Sequence, residues 1–185
     1  IRAKHVIVAA GTYNTQKILH RMKDEGVLPN LSTRLGYLSR TNSEALVGAV
    51  ANDIPSPDFT RGVAITSSFF PDAHTHVEPV RYGIGSNSMG LLSTILTDGD
   101  DSKRRWKIWI TAVKKSPMMA LKHLWVKDWS QNTVIALVMQ TLDNSITVFG
   151  KKDSTFGGWK LSSRQGEGQP NPSWIPVANQ VAREL

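Results

Sequence analysis

A chain of 185 residues with 40% hydrophobic content has enough apolar side chain for one sizeable core or for parts of two domains, which excludes a disordered protein. The absence of cysteine excludes disulfides and thiolate metal centres and fits a reducing compartment. The net charge of +7 resides in one segment: Ser102 to Lys127 holds eight basic residues and no acidic one, and the rest is close to neutral, which argues against nucleic-acid binding along the chain.

No apolar run approaches the roughly 20 residues that a bilayer-spanning helix needs, and the opening IRAKHVIVAAG lacks a signal-peptide cleavage pattern. The expected location is therefore cytoplasmic or peripheral to a membrane. Because the chain begins without methionine just before an apolar run, it reads as an internal fragment whose sheet partners lie upstream.

Val6 to Ala10 form that run, which predicts a strand buried on both faces of a parallel sheet. Gly11 ends it. Thr15, Ile18, Leu19 and Met22 then recur at helical spacing, with Thr12 or Asn14 as N-cap and Gly26 near the C-terminus. A glycine between strand and helix is either an ordinary turn or a place where backbone approaches a ligand closely. The stretch LPNLSTRLGYLSRTNSEALVGAVANDIP reads as loop with short helical pieces. Residues 62–71 and 75–82 read as two strands joined by a Pro-Asp turn, followed by the glycine-bounded loop GIGSNSMG. That loop matches neither G-x-G-x-x-G nor a P-loop.

In the basic region Trp106, Trp109, Ile110 and Val113 share a helical face. Ser116 and Pro117 start a second helix that is expected to run to about Trp129. TVIALVMQT, SITVFG and WKLSSR read as three strands, with Asp143-Asn144 as a hairpin turn between the first two. The tail ends in the start of a helix.

Two constellations are chemically suggestive. His74, His76 and Glu78, at i, i+2 and i+4, point to one face of a strand, where they either hold a divalent metal or form a surface pair of histidines. Glu78 alone either accepts a proton from a substrate hydroxyl or is a solvated residue salt-bridged to Arg81. The segment 102–129, with eight cations and Trp106, Trp109, Trp125 and Trp129, suits either a membrane surface or a core helix with a solvated basic face.

VIVAAGTYNTQKILHRMKDEGVLPNLSTRLGYLSRTNSEALVGA, HVEPVRYGIGSNSMGLL, LVMQTLDNS and LSSRQGEGQPNPSWIPVAN together resemble, in order and over nearly the whole chain, the middle and substrate-domain part of glucose-methanol-choline (GMC) flavin oxidoreductases on the bacterial cholesterol oxidase branch. The resemblance implies an α+β (α/β) fold: the end of an FAD-binding Rossmann-like domain over 1–50, then a mostly antiparallel substrate-binding domain with flanking helices over 51–185. It implies that Ala10, Gly11 and Thr12 contact FAD, and that Asn42 lies in the stretch crossing beneath the flavin into the substrate cavity. Glu78 falls near the family's substrate-facing glutamate, although HVEPVRYG departs from the family's local sequence. The family's N-terminal G-x-G-x-x-G and its late His and Asn pair are absent; none of His5, His20, His74, His76 and His123 sits in that motif. The implied activity is oxidation of a bulky, sterol-like secondary alcohol. The rival is a non-enzymatic module that binds lipid or a membrane surface through 102–129.

Overall fold

The computed structural model describes residues 2–40, 43–51, 57–100, 102–153 and 157–185. The chain divides into two compact units, Ile1–Thr41 with Asp143–Asn171, and Asn42–Leu142 with Pro172–Leu185. Both are discontinuous in sequence.

In the first unit, helix α1 (Gly11–Asp24) packs on an antiparallel hairpin. The hairpin strands, named β5 and β6 by their place in the chain, are Ile146–Asp153 and Gly158–Gln165, paired from Ile146 opposite Gln165 to Asp153 opposite Gly158. The start of α1 differs from the expected one. The helix opens at Gly11, and the hydroxyl that caps the turn belongs to Thr15, whose Oγ1 accepts from the Ala10 N–H at 2.9 Å. The end is as read: Gly26 takes φ +75° while its N–H and that of Leu28 return to Lys23 and Met22 carbonyls. His20 is the fully buried member of the helix, and burial lowers its pKa. Gly36, at φ +82°, lies against His20 and the Val148 carbonyl so closely that a Cβ would collide with both, which lets the 36–39 turn pair with the start of β5.

The expected buried strand over Val6–Ala10 does not form. These residues carry no ladder and are exposed, Ile7 to 90%. A strand exists through its partners, and no described segment pairs with this one.

The second unit is built on one four-stranded antiparallel sheet. Its strands are β1 (Ala45–Val50), β2 (Phe69–Asp72), β3 (Thr75–Val80) and β4 (Thr133–Gln140), in the order β1-β4-β3-β2. This corrects the hairpin expected at Asp143-Asn144: β4 pairs with β1 and β3, and β5 belongs to the other sheet. It also corrects the loop expected over Ala45–Val50, which is an edge strand with alternating burial. The α+β class with an antiparallel sheet and flanking helices is therefore observed.

GIGSNSMG holds a 3-10 turn (Asn87–Leu92) instead of a flexible loop. The Asn87 side-chain Oδ1 accepts from the Ser130 N–H and from its hydroxyl, and Gly90 lies against the Trp129 ring. Helix α2 spans Arg105–Lys115 and α3 spans Pro117–Lys122, with Pro117 at its first position as expected. The second helix stops short of Trp129, and a separate turn, α4 (Trp129–Asn132), follows Asp128 in the left-handed region.

Helix α5 (Pro176–Glu184) covers one face of the sheet. Ile175, Ala178 and Val181 pack on Val77, Ala136 and Val138, and Val138 is wholly buried. Asn179 and Arg183 tie the helix to Asp98, whose carboxylate they hold below its usual pKa. The two faces of the sheet predict opposite sensitivities. Val138→Ala removes two buried methyl groups and is expected to cost about 2–3 kcal/mol in urea unfolding. Leu46→Ala, on the uncovered face, is expected to stay within about 0.5 kcal/mol.

Candidate active site

Directly paired residues of an antiparallel sheet share a face, so the register assigns every side chain. Thr75, Val77, Ala136, Val138, Ala45 and Val47 look toward α5. The opposite face carries His76, Glu78 and Val80 from β3, Ile135, Leu137 and Met139 from β4, and Leu46, Gly48 and Val50 from β1. It is the more open face, with Leu46 62% exposed. Glu78 sits opposite Leu137, which in turn is opposite Leu46, so a half-buried carboxylate stands in an apolar row.

The residues around Glu78 are set by an irregularity in β2. Phe69 pairs with Val77 and Asp72 with Thr75, so β2 has one residue more than β3 between these pairs. This bulge places Phe70 and Pro71 opposite His76. Proline is tolerated there because the strand is an edge and the ladder is already broken. The Phe70 ring stacks on the His76 imidazole, centroids 4.9 Å apart and planes within 10°. On its other side His76 Nε2 lies 3.3 Å from Glu78 Oε1.

The structure does not bring His74 to this pair. The turn begins after Asp72, so His74 is an exposed turn residue whose N–H donates to Asp72 Oδ1 at 2.8 Å, and the two-residue repeat applies only from Thr75 onward. Of the two readings of His74, His76 and Glu78, the three-ligand one is reduced to a His76–Glu78 pair. Among the described residues no group of three or more possible ligands is found. The expected Arg81 partner is corrected too: the Arg81 guanidinium donates to the Arg61 carbonyl, and its backbone N–H to Ala64. Phe70 and Leu46 escaped sequence reasoning. The signal for Phe70 was the proline inside a strand, which marks an edge or a bulge.

The residues expected near a cofactor lie in the first unit. Ala10, Gly11 and Thr12 are exposed at the N-terminus of α1, which has no acidic residue in its first turn. Gly11 has φ +74°, and a Cβ added there meets nothing within 4 Å, so the backbone is open to a ligand. An open, uncharged backbone at a helix N-terminus fits a phosphate-bearing or ring-bearing group such as FAD. Asn42 lies outside the described residues.

In the basic segment the tryptophans divide. Trp129 packs against Tyr82, centroids 6.0 Å apart, and covers Gly90. The Trp109 Nε1–H donates to Thr94 Oγ1 at 2.8 Å. Trp106 is exposed beneath Lys107, and Trp125 is 76% exposed beside the exposed Met118, Met119, Leu121 and Leu124. Among the described residues only Lys103 of the eight cations forms an ion pair, with Asp100 at 3.7 Å. No helix among the described residues is long and apolar enough to cross a membrane.

No family model matches the chain. No solved structure matches it. Among curated proteins, cholesterol oxidase of Mycobacterium tuberculosis is 51% identical over 99% of this chain, and cholesterol oxidase of Acinetobacter baumannii is 37% identical over 100% of this chain. The chain spans about a third of the length of these relatives, 32% and 33% respectively. The resemblance read from the motifs is borne out: along almost its whole length this chain is similar to one third of the cholesterol oxidases of Mycobacterium tuberculosis and Acinetobacter baumannii.

Proposed function

We propose that the chain is part of an FAD-dependent oxidoreductase that oxidises a sterol or a similarly bulky secondary alcohol to the ketone. The observation that carries this reading is Glu78, a half-buried carboxylate in the middle of an open apolar sheet face, in a chain half identical to a cholesterol oxidase. A flat apolar face bearing one acceptor suits a rigid hydrocarbon with one hydroxyl. Leu46, Leu137 and Met139 would bind the rings by excluding water, and Glu78 would accept the hydroxyl proton. FAD, when bound, supplies the two-electron acceptor for the hydride leaving carbon. Ala10, Gly11 and Thr12 would hold it through their open backbone, with Asn42 in the same role. The assignment of 1–50 to an FAD-binding, Rossmann-like domain and of 51–185 to the substrate domain belongs to this proposal. In the full-length protein, Glu78→Gln is expected to lower turnover of cholesterol about 100-fold or more while leaving the flavin absorbance spectrum unchanged. Wild-type turnover in that variant would return Glu78 to a structural role.

The same reading needs access to a substrate that resides in bilayers. We place that contact on the segment 102–129, at an anionic membrane surface, with the protein otherwise cytoplasmic in a bacterium. Exposed Trp106, Trp125, Leu121 and Leu124 stand among cations of which, among the described residues, only Lys103 forms an ion pair, whereas a surface that docks on protein is depleted of lysine at its centre. Each cation close to anionic lipid contributes about 1 kcal/mol, screened by salt. The full-length protein is expected to bind phosphatidylserine vesicles at low ionic strength and to leave them as salt rises. Replacing Lys103, Arg104, Arg105 and Lys107 by glutamine should abolish most of that binding with the thermal unfolding midpoint unchanged. Indifference of the wild-type protein to such vesicles at low salt would remove the membrane from the proposal.

A further inference from the structure

We infer that His76 is a positioning residue for Glu78, held in place by Phe70, and that this trio sets the direction of the carboxylate on the open sheet face. The inference rests on the reading of Glu78 as proton acceptor. A glutamate on a strand has three rotatable bonds, and a base that samples many directions meets the substrate hydroxyl only part of the time. Here Oε1 lies 3.3 Å from His76 Nε2. A proton on that nitrogen anchors one carboxylate oxygen and leaves Oε2 free to receive the hydroxyl proton. The imidazole would itself turn about its side-chain bonds, but the Phe70 ring stacked at 4.9 Å covers one of its faces. Phe70 is there because β2 bulges between Phe69 and Asp72, and a bulge re-aims side chains where an unbroken ladder would not.

The neighbouring strands add no other ionisable side chain to this face, and Glu44, which precedes β1, has an interaction of its own. The residues of β1 and β4 that share this face are Leu46, Gly48 and Val50, and Thr133, Ile135, Leu137 and Met139, none of which ionises. On β2, Asp72 is opposite Thr75 and so belongs to the other face, where its carboxylate accepts from the Thr75 hydroxyl at 2.9 Å. Beyond β3, Arg81 is engaged by the Arg61 carbonyl. Among the described strand residues, His76 is therefore the one charged or protonatable group facing Glu78.

The test uses the full-length, FAD-loaded protein with cholesterol as substrate. His76→Leu is expected to lower kcat about tenfold or more with KM and the thermal unfolding midpoint close to wild type, because ring binding does not involve the pair. His76→Gln, which keeps an N–H donor at similar reach, should recover kcat to within about threefold of wild type, and in a Glu78→Gln background His76→Leu should cause no further loss. Wild-type kcat in His76→Leu while Glu78→Gln is impaired would overturn the inference and leave the Glu78 reading intact. A fall in unfolding midpoint without rescue by glutamine would likewise overturn it. Wild-type kcat in Glu78→Gln would overturn both.

Discussion

The second unit depends on strand β4 being hydrogen-bonded along both edges. Its partners β1 and β3 fix its register from Thr133 to Gln140, and the two-residue period then divides its side chains without exception. Ala136 and Val138 go to α5 and close the core, while Ile135, Leu137 and Met139 go to the other side. A slip of β4 by one residue would exchange its own two faces, turning Val138 away from α5 and Leu137 toward it. Burial of Val138 against α5 and the placement of Leu137 opposite Glu78 are therefore consequences of one constraint.

What the sequence made legible was local. Helix α1, α2, the strands β3 to β6 and the start of α5 each announced themselves by a run or a period within a dozen residues. What it did not make legible was pairing. Asp143-Asn144 is a sound turn signal, yet the strands on its two sides enter different sheets, because β4 gains more from lying between two apolar partners than from a hairpin with β5. Ala45–Val50 passed as loop because alanine and glycine are poor strand formers in isolation; its place is set by six residues of β4 nearly a hundred positions away. Val6–Ala10 failed in the opposite direction: its composition is strand-like, but no described partner supplies the ladder.

The site was legible to a similar depth. Glu78 stood out because a carboxylate in an apolar strand requires a reason. His74, His76 and Glu78 looked like a ligand set because an unbroken strand was assumed across them. The turn after Asp72 removes His74, and the bulge in β2 supplies Phe70 instead, which converts a tentative trio of ligands into an aromatic ring, an imidazole and a carboxylate in sequence. The clue was the proline of Phe69-Phe70-Pro71-Asp72, whose missing N–H is tolerated only where a ladder is interrupted.

Two exposed apolar surfaces in this unit differ in one respect that decides what each can take. On the sheet face the only ionisable side chains among the described strands are His76 and Glu78, and they lie against each other within an otherwise apolar set. A neutral hydrocarbon loses little on entering it, whereas an anion meets a carboxylate. On the helical segment the apolar residues are interspersed with lysines and arginines of which, among the described residues, only Lys103 forms an ion pair, while Arg105 acts on the Asp98 carboxylate. In the proposed membrane contact, such a surface would be attracted to an anionic interface over about a Debye length and would then gain from burying Trp125 and Leu124 at headgroup depth. A sterol carries one hydroxyl and no charge, but the bilayer that contains it commonly does carry charge. Under the proposed function, separating the two chemistries on the same unit would let electrostatics select the membrane and shape select the molecule taken from it, with neither requirement compromising the other.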